Sequence, residues 1–160
     1  RLDGVTGVQT CALPIWVSED FTRKAGFRML RNEGITIDGV MNMAGVDDAG
    51  HRSTDRHSPG DRSLLEALPR HLFTVFLKHR PLVTAASRGL FDIQLSGHTH
   101  GGQVYPFRYI TRISFPMIAG LYPLKNGSFL YVSRGTGTWG PPIRFLTPPE
   151  VTVIEVVSKR

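Results

Sequence analysis

The chain has 160 residues, with 19 Lys+Arg against 13 Asp+Glu for a net charge of +6, 41% apolar residues, 17 Gly, 11 Pro and one Cys. That length suits one domain, or part of one, with a modest core; the apolar content excludes a disordered chain, and the single Cys excludes a disulfide framework or a thiolate zinc cluster. No apolar run reaches the ~18 residues of a membrane-spanning helix, and the fifteen Arg scatter from Arg1 to Arg160 instead of forming a stripe, so nucleic acid is not the expected partner.

Val5 to Ile15 (VTGVQTCALPI) resembles the frame translation of a short-read sequencing adapter, and Trp16 fits the junction. A targeting segment is the competing reading, but the stretch lacks a basic region leading into a sustained apolar one. Residues 1–15 are therefore set aside as adapter-derived, and the only Cys goes with them. Residues 16–160 are read as the domain.

From Ser18, a candidate N-cap, the sequence predicts a short helix closed by Gly26. Ile35 to Met41 predicts a hairpin with Asp38-Gly39 at its turn. Residues 46–60 are polar and predict a loop. Asp61 is expected to cap a helix carrying Leu64, Leu65 and Leu68, which Pro69 stops. Leu72–Leu77 and Phe91–Leu95 read as strands, with a helix-like segment from Leu82 to Arg88 between them. Such a strand–helix–strand unit implies parallel strands ending at one sheet edge, where sites form in α/β folds. Phe129–Ser133 and Val151–Val157 alternate as half-buried strands do, and the Gly- and Pro-rich stretch 134–142 between them predicts a loop.

His79, His98 and His100 all fall just past the ends of the two neighbouring strands. Imidazole suits Zn, Mn or Fe at neutral pH, and rigid strand ends preorganise ligands. Gly97, Gly101 and Gly102 leave room for sharp turns around a metal. A lone His beside a strand is usually a surface or hydrogen-bonded residue. Three converging on one edge favour metal.

Lys78-His79-Arg80-Pro81 followed by Ser96-Gly97-His98-Thr99-His100-Gly101-Gly102-Gln103 resembles the C-terminal half of a calcineurin-like metallophosphoesterase of the YkuE/YaeI-type bacterial branch. Leu30 to Gly34, Ala44 to Asp48, Tyr131 to Gly135 and Pro149-Glu150 carry the likeness across Trp16 to Val157. The resemblance implies an α/β fold, the C-terminal portion of a two-sheet sandwich with flanking helices. It also implies a hydrolase of phosphodiester, phosphomonoester or pyrophosphate bonds, in which two divalent ions (Mn, Zn or Fe) about 3.5–4 Å apart activate water. His79 and His98 would bind one ion and His100 the other. The substrate would be a small-molecule or lipid-linked phosphoester, a UDP-diacylglucosamine-like pyrophosphate among them. By the same resemblance the protein is bacterial, and either exported or associated with the cytoplasmic membrane through segments ahead of Trp16. The family's N-terminal motifs, Gly-Asp-x-x-Asp and Gly-Asn-His-Glu among them, which by the resemblance supply the remaining ligands, a bridging Asp and the His that assists the leaving group, are absent. The expectation is an N-terminally truncated chain, inactive alone, in which no residue is assigned as catalytic and in which lost N-terminal strands leave a sheet edge bare. The alternative is a non-catalytic module holding a single structural zinc on the three His.

Other residues carry two readings each. Asp47 and Asp48 either support the site or make a turn. His51 and His57 sit in the polar loop with Arg52, Arg56 and Arg62, where solvation is the simpler account, and His71 is expected at the surface. Arg134 and Arg144 either clamp an anionic substrate or hold their loop by bonding carbonyls. Gly135-Thr136-Gly137 has no following helix and makes a weak nucleotide loop. Trp139, Phe115 and Tyr122 either line an apolar wall for a lipid-like substrate or pack.

Overall fold

Short runs rich in apolar and β-branched residues pair here into one mixed sheet. The computed structural model describes residues 15–48 and 60–157. Its elements are α1 (Ile15–Lys24), β1 (Glu33–Ile37), β2 (Met41–Gly45), α2 (Asp61–Glu66), β3 (Phe73–Leu77), β4 (Ile93–Ser96), α3 (Arg108–Ser114), β5 (Gly120–Pro123) and β6 (Phe129–Val132). The strand order is β1-β2-β3-β4-β6-β5. β2, β3, β4 and β6 run parallel, and the outer strands β1 and β5 are antiparallel to their neighbours. The expected α/β class is observed, as a single sheet among the described residues.

Local chemistry explains several of these elements. Asp38 and Gly39 both adopt positive φ, and the Val40 N–H donates to the Ile37 carbonyl at 2.9 Å. That is the tight hairpin turn Asp-Gly favours. Gly26, at φ +85°, closes α1 with bonds from its own N–H to Arg23 and from the Phe27 N–H to Thr22. Ser18, by contrast, lies inside α1 and does not begin it.

One face of the sheet is sealed. Ala44 and Phe76 pack with Leu64 and Leu65 of α2 and with Phe91. The same face carries buried polar residues, Asn42 opposite Thr74 in one cross-strand row and Gln94 and Ser96 further along on β4. Burying them is tolerable because most of their polar atoms are bonded, Gln94 Oε1 being the exception. The Thr36 hydroxyl donates to Asn42 Oδ1 at 2.9 Å, and Asn42 Nδ2 donates to the Pro69 carbonyl at 2.8 Å and to Thr74 Oγ1 at 3.1 Å. Gln94 Nε2 donates to Ser96 Oγ at 2.9 Å. On the opposite face Met43, Leu77, Ile93, Leu95 and Tyr131 are only half-buried.

Three expectations need correction. The 82–88 segment is not a helix: residues 85–89 form turns, with the Ser87 N–H and hydroxyl bonded back to Thr84. A run this short gives a helix little to propagate once its nucleus has formed, and the Ser/Thr side chains offer the backbone other partners. Asp61 does not cap α2. Gly60 holds the N-cap position, and the Asp61 carboxylate pairs instead with Lys78. Val151–Val157 is not a strand: its residues are exposed, and it pairs with no strand among the described residues. Alternation supplies a face for a sheet but cannot supply the neighbour. His51, His57, Arg52, Arg56 and Cys11 lie outside the described residues.

The turn that follows β4 depends on one close approach. Gly102 has φ +88°, and a Cβ there would sit 2.4 Å from the Cα of Arg108, at the start of α3. Gly102→Ala is expected to lower stability by about 2–4 kcal/mol. Gly127→Ala should cost about 1–2 kcal/mol, because φ is positive there too but nothing lies within 4 Å of the new methyl. Urea unfolding of the two variants measures the difference.

Candidate metal centre

Parallel strands that finish together deliver their next residues to the same place. β3 and β4 pair with Leu77 opposite Leu95, and the ladder runs on beyond them. The Lys78 N–H donates to the Leu95 carbonyl at 3.1 Å, and the Gly97 N–H donates to the His79 carbonyl at 3.0 Å. His79 and His98 therefore emerge side by side. Their rings cross edge-on with centroids 4.9 Å apart, and His79 Nε2 and His98 Nδ1 share a hydrogen bond of 3.0 Å. Phe115 packs edge-on against His98 at 5.0 Å. Of the three aromatic residues considered for an apolar wall, only Phe115 meets the site this way. The Tyr122 hydroxyl donates to Ala119, and Trp139 is exposed.

Burial is the main cause holding both imidazoles below their usual pKa. For His79 the neighbouring His98 adds to the shift, and for His98 the Arg80 guanidinium does. Asp48 opposes both, and its carboxylate lies 2.9 Å from Arg80 Nε. Of the two adjacent aspartates, only Asp48 reaches the site. Asp47 turns away to accept bonds of 3.0 to 3.4 Å from Arg31 and Asn32.

His100 stands apart. The loop places His98, His100, Gly101, Gly102 and Gln103 all at positive φ, strain of the kind that gathers at functional sites. Arg144 Nη2 lies 3.2 Å from His100 Nδ1. Because arginine only donates, the neutral ring then carries its proton on Nε2. Burial, then the charge of Arg144, keeps His100 below its usual pKa. Arg144 also donates to the carbonyls of Gly137, Arg134 (2.9 Å) and Gly135 (3.1 Å), while Arg134 pairs with Glu150 at 2.6 Å. Arg144 holds the loop by bonding carbonyls, as the second of the two readings expected, whereas Arg134 pairs with the Glu150 carboxylate. The 135–137 stretch presents two of its carbonyls to Arg144, and His71 is exposed as expected.

The donor set can be tested against a cation. A tetrahedral ion with nitrogen ligands at about 2.0–2.1 Å spaces those nitrogens by roughly 3.3 Å. His79 Nε2 and His98 Nδ1 are 3.0 Å apart and share one proton, which a cation displaces on binding. This pair fits a metal as two of its ligands. Among the described residues no three His, Cys, Asp or Glu side chains form a metal-holding group, so the single-zinc alternative finds no three-ligand cluster here.

The lowered imidazole values predict a pH profile with a definite sign. Below the unfolded value of about 6.5 the unfolded chain takes up protons that the folded chain resists, so stability falls as pH drops. Above that value the three imidazoles contribute no pH dependence. His79→Gln together with His98→Gln should flatten the acid limb, as read from urea midpoints between neutral and mildly acidic pH.

No family model and no solved structure matches the chain. It is similar to a metallophosphoesterase of Aquifex aeolicus, 39% identical over 144 residues that cover 89% of this chain and 55% of that protein. A Campylobacter jejuni metallophosphoesterase is 33% identical over 144 residues, covering 88% of this chain and 38% of its own length. The Bacillus subtilis metallophosphoesterase YkuE is 35% identical over 142 residues, covering 83% and 48%. The chain thus spans about half the length of these relatives or less. An α/β sheet with paired imidazoles at its carboxyl edge, and likeness along most of its length to proteins of that name, place this chain in the metallophosphoesterase family.

Proposed function

We propose that the protein is a metal-dependent hydrolase of phosphodiester, phosphomonoester or pyrophosphate bonds, in which His79 and His98 hold one of two divalent ions and His100 the other. The observation that carries this reading is the contact of His79 with His98 at the ends of β3 and β4. Bound divalent ions (Mn, Zn or Fe) would polarise phosphoryl oxygens and ease deprotonation of the attacking water. The chain's own residues orient and tune. Backbone bonds across 78–79 and 95–97 fix the two rings, and burial lowers their pKa, favouring the neutral form that offers a lone pair. The half-buried Arg80–Asp48 pair sits beside them and orders the positive charge nearest the rings. His100 becomes a ligand when Arg144 releases its ring nitrogen, which ties that position to the 134–147 loop.

The hydrolytic activity belongs, in this reading, to a longer polypeptide that supplies the remaining ligands and the proton donor for the leaving group. The substrate class is a small-molecule or lipid-linked phosphoester. Calorimetric titration of the purified chain with Mn²⁺ and Zn²⁺ should give binding that His79→Ala and His98→Ala abolish. Undiminished binding by the double variant overturns the ligand assignment. The chain alone should hydrolyse bis(p-nitrophenyl) phosphate no faster than a metal-only control, and turnover above that control overturns the claim that other segments are required.

A further inference from the structure

The segment from Ile93 to Pro149 contains no acidic residue, while it carries Arg108, Arg112, Lys125, Arg134 and Arg144. Within it, α3 is turned the wrong way round for a helix of a water-soluble surface. It buries no residue. Its partly covered positions are Arg108, Thr111 and, just beyond it, Phe115, and Arg108 Nε is buried without a hydrogen-bond partner. Its outward positions are apolar: Phe107, Tyr109, Ile110 (61% exposed) and Ile113 (83% exposed), with Arg112 between them. An ordinary surface helix shows the opposite polarity.

This face continues into a second loop. The Gln103 side chain clamps Trp139 from both sides, Nε2 donating to the Trp139 carbonyl at 2.7 Å and Oε1 accepting from its N–H. The Phe145 N–H donates to the Gln103 carbonyl, and the Tyr105 N–H to the Phe145 carbonyl, each at 3.1 Å. Trp139 (79% exposed) and Phe145 are thereby bolted onto the loop that holds His98 and His100 and leads into α3. Exposed aromatic and branched aliphatic side chains among arginines, in a stretch of sequence whose nearest following carboxylate, Glu150, is already paired with Arg134, match the boundary between lipid headgroups and acyl chains.

We propose that α3 and the Trp139 loop dock on an anionic lipid bilayer, with Phe107, Ile110, Ile113 and Trp139 entering the headgroup boundary and Arg112 meeting lipid phosphates. Charge complementarity selects the anionic surface: the platform is uniformly basic or neutral, and an arginine near such a surface strengthens binding about fivefold. Docking sets the histidine loop against the bilayer. It does not require the hydrolytic reading, since adsorption is measured without turnover.

The purified chain is sedimented with vesicles of phosphatidylcholine containing phosphatidylglycerol, and with vesicles of phosphatidylcholine alone. It should bind the anionic vesicles, less so as salt is raised. Ile110→Ser with Ile113→Ser should weaken binding at least about tenfold, and Arg112→Gln about fivefold. These side chains are exposed, so circular dichroism should show the fold unchanged. Val40→Ser, an exposed apolar residue at the far hairpin, should bind as the parent does. Absence of binding to anionic vesicles, or a double isoleucine variant that binds normally, overturns the proposal. So does a parent chain that is dimeric by size exclusion, ignores vesicles and becomes monomeric in the double variant, which would assign the face to a second copy.

Discussion

Parallel pairing of β3 with β4, in the register that sets Leu77 opposite Leu95, is the constraint on which the rest of the site depends. Two backbone bonds carry that ladder past the formal strand ends, and these fix the separation of the His79 and His98 rings. A slip of one residue would reverse the facing of every side chain on one strand. It would bring either Phe76 or Gln94, according to which strand slipped, out of the sealed face and part the two imidazoles. Packing therefore enforces the chemistry. The register that buries Phe76 against α2 and Phe91 is the one that joins the histidines.

The buried polar row reinforces this specificity. Asn42, Thr74 and their partners link three strands through side chains as well as backbone. An apolar row would slide with modest loss. A row of matched donors and acceptors is costly to misalign, because each displaced group is left desolvated and unpaired. Lys78–Asp61 and Arg80–Asp48 extend the same logic to the carboxyl edge, where each charge flanking His79 is matched by a partly buried opposite charge.

Much of this was legible in the residues alone. Asp38-Gly39 declares its hairpin and Gly26 its helix end, because φ above zero is cheap for few residues. The strands carrying Val75, Phe76 and Leu95 announce themselves by composition, and the placement of the histidines follows from them. What escaped reading was decided by neighbours distant in sequence. Ser87 satisfies its backbone locally, so 82–88 stays a chain of turns. Asp61 had two partners available, its own helix end or Lys78, and only the fold puts the lysine within reach. β5 carries no strong strand signal, since Pro123 and Gly120 disguise it, and it exists because β6 offers an edge. Arg144 illustrates the limit for the site. Its target is a set of backbone carbonyls, which leave no trace in a side-chain pattern.

The loop from His98 to Gln103 is held in its unusual conformation by glycines, by the Thr99 hydroxyl on the Ile118 carbonyl at 2.7 Å, and by the Gln103 clamp on Trp139. Its ordering entropy is thus charged to folding and not to any later association. Anything captured there meets a backbone already shaped, so recognition carries little main-chain reorganisation beyond the release of His100 by Arg144, and side chains on the template can diversify while its backbone stays fixed. A scaffold of this kind lends itself to exchanging specificity without redesigning the architecture beneath it.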